Sequence, residues 1–214
     1  MPKHLLAALL LIGSGLLPAA QASAPVRTSP PAAQRIVATP ITLPQSAYLQ
    51  GVGHVYQTLN NCGPASLLAI LQHYGVNAGT QAELGRQLKP GKFMTTGVIA
   101  PYLAQFGLAA PIYRQGSIGN IRPFIASGIP VLILQYLNGP GSVPHFRVVR
   151  GYDDASQRIY MSDSIYGPNV YLSYTDFNKL WTVYNNEFIP VYPTSLSPLL
   201  PNMVAGTAYR TNLQ

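Results

Sequence analysis

One thiol, one histidine and one acid in this chain have spacings that can join them in a single reaction. Cys62 is the only cysteine among 214 residues, so it has no internal disulfide partner. It lies in Gln57-Thr58-Leu59-Asn60-Asn61-Cys62-Gly63-Pro64-Ala65-Ser66. Leu67, Ile70, Leu71 and Tyr74 then follow at helical spacing until Gly75, which puts the thiol at a helix start. Asn60 or Asn61 suits the cap, and Pro64 suits the first turn. Unpaired N–H groups and the positive end of the helix dipole favour a thiolate there, below the ordinary thiol pKa of about 8.5.

A thiolate nucleophile needs a base, and His145 is well placed to be one. It opens the run His145-Phe146-Arg147-Val148-Val149-Arg150-Gly151-Tyr152, rich in strand formers. After the turn Asp153-Asp154-Ala155-Ser156, a second run from Arg158 ends in Asp163. If the two runs form a hairpin, His145 and Asp163 meet at one end of it. His145 then pairs with Cys62, and Asp163 orients the imidazole and stabilises its charge. Asp154 and Asn169 remain alternatives for the orienting group, while turn capping is reason enough for the paired acids. Gln57, five residues before the thiol, can aim its amide at a developing oxyanion together with the Cys62 N–H. His54 and His73 read as surface or packing residues. Four histidines and one cysteine without ligand spacing give no metal site, and the chemistry calls for no cofactor.

These groups are held by two different halves. The first is helical: the Cys62 segment, then a capping-box pattern at Thr80-Gln81-Ala82-Glu83, then Val98–Phe106 ended by Gly107, then a short helix at Asn120–Ala126. The second is made of strands: Pro130–Tyr136, His145–Tyr152, Arg158–Asp163, Asn169–Leu172 and Glu187–Tyr192, with a short helix at Thr175–Trp181. Tyr174, Phe177 and Trp181 fall at helical spacing as core residues. Helices first and an antiparallel sheet after is an α+β layout.

Composition narrows the setting. Hydrophobic residues make up 48% and charged residues only 9%, which suits a packed core and not a charge-rich disordered chain. Thirteen basic against six acidic residues give a net charge of +7, but the basic residues are scattered singly with no nucleic-acid motif. That charge suits acidic cell-envelope polymers better than nucleic acid. Residues 1–22 read as a signal peptide, with a basic start, an apolar run to Leu17 and Ala20-Gln21-Ala22 as the cleavage pattern. Residues 23–47 read as a Pro/Ala-rich linker, 48–193 as the domain, and 194–214 as an extended or loosely packed tail. Such a chain is exported, periplasmic or extracellular, with no integral membrane segment after signal removal.

The matching segments, Gln57, Asn61 to Ser66, His145 to Asp153 and Asp163, resemble the papain-like cysteine peptidases that process bacteriocin leaders, in their stand-alone C39-like form. The resemblance covers Tyr48 to Pro193 and implies a papain-like fold, a helical half carrying Cys62 and a sheet half carrying His145 and Asp163. It implies Cys62 as nucleophile, His145 as base, Asp163 as orienting acid and Gln57 as oxyanion donor. Members often carry Gly before the His and Pro after the Asp, where this chain has Pro144 and Ser164. The reading is an exported cysteine peptidase acting on a peptide or protein through an acyl-thioester. A transferase on the same fold and a non-catalytic envelope peptide-binding module are the alternatives.

Overall fold

A computed structural model describes residues 42–200 and the strand pair position at 208–209, all within a unit that runs from Ile41 to Gln214. The expected signal peptide and most of the expected linker lie outside the described residues. The helical half holds α1 (Cys62–His73), α2 (Gln81–Leu88), a 3-10 turn at Thr96–Val98, α3 (Ile99–Ala104) and α4 (Ile118–Ala126). Local signals explain these ends. Gly75, at φ +69, takes the left-handed position that ends α1. Thr80 and Glu83 form the expected capping box on α2, and Ser117 with Asn120 forms a second one on α4.

The strands are β1 (Ser46–Tyr48), β2 (Leu108–Ala109), β3 (Tyr113–Arg114), β4 (Val131–Tyr136), β5 (Pro144–Asp153), β6 (Arg158–Asp163), β7 (Gly167–Ser173), β8 (Phe188–Pro190), β9 (Tyr192–Pro193) and β10 (Ala208–Tyr209). Helix α5 (Tyr174–Leu180) joins β7 to β8. The main sheet is antiparallel, in the order β10-β3-β8-β4-β5-β6-β7, with β1 also on β5; β2 and β9 pair separately. Helices first and an antiparallel sheet after is the α+β arrangement expected.

The central strand carries the weight of the fold. Residues 145–152 are buried throughout, because α1 and α4 pack against β5 while β4 and β6 flank it. A bulge at Arg150 interrupts the β5–β6 ladder between Val149 and Gly151. Its guanidinium turns to the main-chain oxygens of Leu49, Gln50 and Pro168. Gly151 pairs with Tyr48, and a Cβ there would sit 2.6 Å from the Tyr48 ring, so only glycine lets β1 close on β5.

Three expectations shift. The sheet starts at Ser46, inside the stretch assigned to the linker, and Tyr152 Oη donates to Pro44 O at 2.8 Å. The tail is tied down at its start, with a 3-10 turn at Thr194–Leu199 and Leu200 buried. Asn61 occupies the N-cap of α1 but its side chain caps nothing; Nδ2 donates to Thr58 Oγ1 at 2.7 Å instead. Phe177 and Trp181 are fully buried, as expected of core residues, and Tyr174 packs at the edge of that core.

Candidate active site

Cys62 is the first residue of α1, half-buried, with the unsatisfied N–H groups of the first turn around it. Packing α1 across β5 brings that helix start to the first residues of the strand. There the Cys62 thiol comes into electrostatic range of the His145 side chain and of the Phe146 and Gly63 main chains. Burial pushes the thiol pKa up, but these interactions outweigh it, so the thiol ionises below its ordinary range.

His145 is 2% exposed, and its Nε2–H donates to Asp163 Oδ1 at 3.0 Å. The nitrogen left to meet Cys62 is therefore Nδ1. Burial alone would lower the His145 pKa; the Asp163 carboxylate and the Cys62 thiol overcome that and raise it above the ordinary value, against the opposing charge of Arg147. A lowered thiol beside a raised imidazole shifts the balance towards a thiolate–imidazolium pair.

Asp163 is fully buried, at the end of β6 opposite Arg147. Burial would raise its pKa, yet His145, Arg147 and main-chain N–H donors hold it well below the usual carboxylate range. Oδ1 accepts from His145 Nε2, Ile165 N at 2.8 Å and Tyr166 N at 3.2 Å; Oδ2 accepts from Arg147 Nε at 2.6 Å. Arg147 donates onward to Gln135 Oε1 at 3.0 Å and to the main-chain oxygens of Tyr136 and Leu137. Gln135 is itself fixed by Nε2 donating to Phe177 O at 2.9 Å. The hairpin thus brings His145 and Asp163 together as the sequence suggested. Arg147 was not anticipated, though its position two residues after His145 puts it on the same strand face.

Gln57 sits beside this cluster through Ser164. Gln57 N–H donates to Ser164 O at 2.9 Å, and the Ser164 hydroxyl donates to Gln57 Oε1 at 2.8 Å. The amide oxygen is occupied, while Gln57 Nε2 has no acceptor among the described residues. Ser164 was not anticipated either. The remaining candidates stand apart from the thiol. Asp153 caps its own turn through Ala155 and Ser156, and Asp154 pairs with Arg122 and Tyr174. Asn169 accepts from Tyr48, His54 bonds Ser162, and His73 bonds Gly128. Among the described residues no three His, Cys, Asp or Glu side chains converge to hold a metal ion, and no helix is long and apolar enough to cross a membrane.

A cavity of about 190 Å³ opens at Cys62, walled by Met94, Thr96, Leu134 and Phe146. A larger, more open groove of about 600 Å³ lies around Arg122, Asp154 and Tyr174. It shares no residue with the thiol, and its charges are already paired with each other.

Solved structures show the same fold at low identity. A C39-like peptidase from Bacillus anthracis matches with TM-score 0.56 and 16% identity, over 69% of this chain and 97% of that one. The peptidase domain of Streptococcus ComA, a bi-functional ABC transporter involved in quorum sensing, matches with TM-score 0.55 and 21% identity, over 66% and 98%. A double glycine motif protease from an AMS/PCAT transporter, in complex with its leader peptide, matches with TM-score 0.52 and 19% identity, over 70% and 99%. No curated protein matches the chain. The Peptidase_C39 like family matches residues 46–188, which contain the thiol, the histidine and the acid. The chain belongs to the Peptidase_C39 like family, a cysteine-type peptidase of papain-like α+β fold.

Proposed function

We propose that this protein is an exported peptidase that hydrolyses peptide bonds with Cys62 as nucleophile, His145 as acid and base, and Asp163 as the group that orients His145. The observation that carries this reading is the relay in which the thiol lies in electrostatic range of His145, which in turn hydrogen-bonds a buried, ionised Asp163 at 3.0 Å. The thiolate attacks the scissile carbonyl, forming the C–S bond while the carbonyl oxygen takes the negative charge. Gln57 Nε2–H and the Cys62 main-chain N–H stabilise that oxyanion. As the C–N bond breaks, His145 Nδ1 gives its proton to the leaving amine, and the acyl group stays on sulfur. Water then attacks the thioester, His145 takes its proton, and the carboxylic acid leaves as the thiolate returns.

A peptide substrate is supported by the neighbour solved with a leader peptide. Export is supported by the basic and apolar pattern of residues 1–22. The relay argues against a binding-only module, which has no use for a charged thiol.

The test is hydrolysis of a peptide mixture by the mature chain and by Cys62→Ser, with cleavage sites mapped by mass spectrometry. The serine variant should fold and cleave nothing, because an alcohol beside His145 is far less acidic than a thiol. Full activity in that variant would remove Cys62 from the mechanism. Running the same reactions with added glutathione or a diamine separates hydrolysis from transfer: free carboxylates are expected, and amide adducts would reassign the reaction.

A further inference from the structure

We infer that the cavity beside Cys62 selects a bulky, uncharged side chain of the substrate, at or next to the scissile bond; this deepens the peptidase reading and rests on it. Cys62 is part of its wall, so a substrate side chain seated there belongs to a residue close to the carbonyl under attack. Its inner walls are Met94, Leu134 and Phe146, each less than a tenth exposed. Its rim is formed by Phe93, Val143 and Tyr184, which are 47%, 57% and 56% exposed. Beyond Cys62 at its mouth no charged residue lines it, so a carboxylate or ammonium seated against the inner walls would lose water with little in return. A pair of glycines would leave these walls wet. At about 190 Å³ the space holds one side chain of leucine or phenylalanine size.

The rim is also built at a cost. Tyr184, Asn185 and Asn186 lie consecutively in the left-handed region, at φ +49, +60 and +55. Asparagine visits that region readily as a single residue, but a bulky tyrosine does not, and three in a row are rare. The turn is held from behind: Gln115 N–H donates to Asn185 O at 2.7 Å, Gly116 N–H to Asn186 O at 3.1 Å, and Trp181 Nε1–H to Glu187 O at 2.8 Å. The core therefore fixes a strained turn whose leading residue is an exposed aromatic at the mouth of the cavity. Strain held in this way marks positions where a side chain has to be presented.

The test uses four peptidyl chloromethyl ketones that differ only in the residue bearing or adjoining the electrophile: Leu, Gly, Asp and Lys. Labelling of Cys62 is followed by mass. The Leu probe should label at least about 100-fold faster than the Gly probe, since even one missing methylene in an apolar pocket is worth about 10-fold or more; the Asp and Lys probes should be slower still. Val143→Glu changes an exposed rim residue, so the fold is kept. It should raise the Lys rate and lower the Leu rate by at least about 10-fold each. Tyr184→Ala should slow the Leu probe alone. Equal rates for Leu and Gly, or a Val143→Glu profile identical to the parent, would overturn the inference. Ranked labelling without any peptide hydrolysis would instead sink the peptidase reading and leave the pocket assignment standing.

Discussion

Replacing Arg147 by Met tests the buried end of the relay. Methionine keeps the apolar stem but loses the guanidinium that donates to Asp163 Oδ2 at 2.6 Å, to Gln135 Oε1 at 3.0 Å and to the Tyr136 and Leu137 oxygens at 3.3 and 3.1 Å. Arg147 and Asp163 side chains are 3% and 0% exposed and Gln135 is fully buried, so the abandoned Asp163 and Gln135 acceptors cannot turn to water. Breaking a buried pair on one side costs about 3–5 kcal/mol. In a domain of this size each kcal/mol moves Tm by about 2–4 °C, so Tm should fall by about 6–20 °C. The chemistry should suffer less, because Asp163 Oδ1 keeps His145 and two main-chain N–H groups. Turnover should drop on the order of 10- to 100-fold, the loss expected from imperfect positioning.

The double variant Arg147→Met, Asp163→Asn strands no charge in the interior. Its loss should be smaller than the sum of the two single losses by about 2 kcal/mol, well beyond what independent sites show. Calorimetric melting of the parent, both single variants and the double variant reads this directly. Strict additivity would refute the coupling and reduce Arg147 to a packing residue.

Asp153→Asn and Asp154→Asn should leave turnover unchanged and alter stability by about 1 kcal/mol or less, because both acids serve local turn and surface contacts; a crippled Asp154→Asn would reassign the orienting group. Ser164→Ala frees the Gln57 amide. Acylation by an N-acyl p-nitrophenyl ester should fall about 10-fold, while alkylation by iodoacetamide, which forms no oxyanion, should not change. Acid sensitivity follows from Asp163: its folded pKa is depressed, so its contribution is full above about pH 4 and is lost as pH falls further. Tm measured from roughly pH 5 to 2 should drop less steeply in Asp163→Asn than in the parent, and equal slopes would contradict the sign of that shift.

Much of this arrangement was legible because it is written in short-range patterns. The helix at Cys62, the Thr80 capping box and the strands 131–136 and 158–163 follow from periodicity and punctuation within a dozen residues. The pairing of His145 with Asp163 was readable because a hairpin fixes which ends meet. The short strands β1, β2 and β3 were not, since two or three residues carry no period and exist only because a partner strand is present. Arg147 sat in view as a charge in an apolar strand, and its burial was settled by long-range contacts with Gln135 and the main chain beyond it. Phe93, Met94 and Tyr184 come from loops far apart in sequence, and no local signal joins them to Cys62. The Asn61 cap misled because its side chain had a nearer partner in Thr58.

The central claim is that Cys62 is a thiolate because His145 is protonated beside it. The rate of iodoacetamide alkylation of Cys62, followed by mass from roughly pH 4 to 9, measures this for the parent and for His145→Ala. The parent should react at lower pH than an ordinary thiol does, because its thiol pKa is lowered and its imidazole pKa raised. The His145→Ala profile should move towards that of an ordinary thiol, near about pH 8.5. Coincident profiles would contradict the pairing and with it the mechanism.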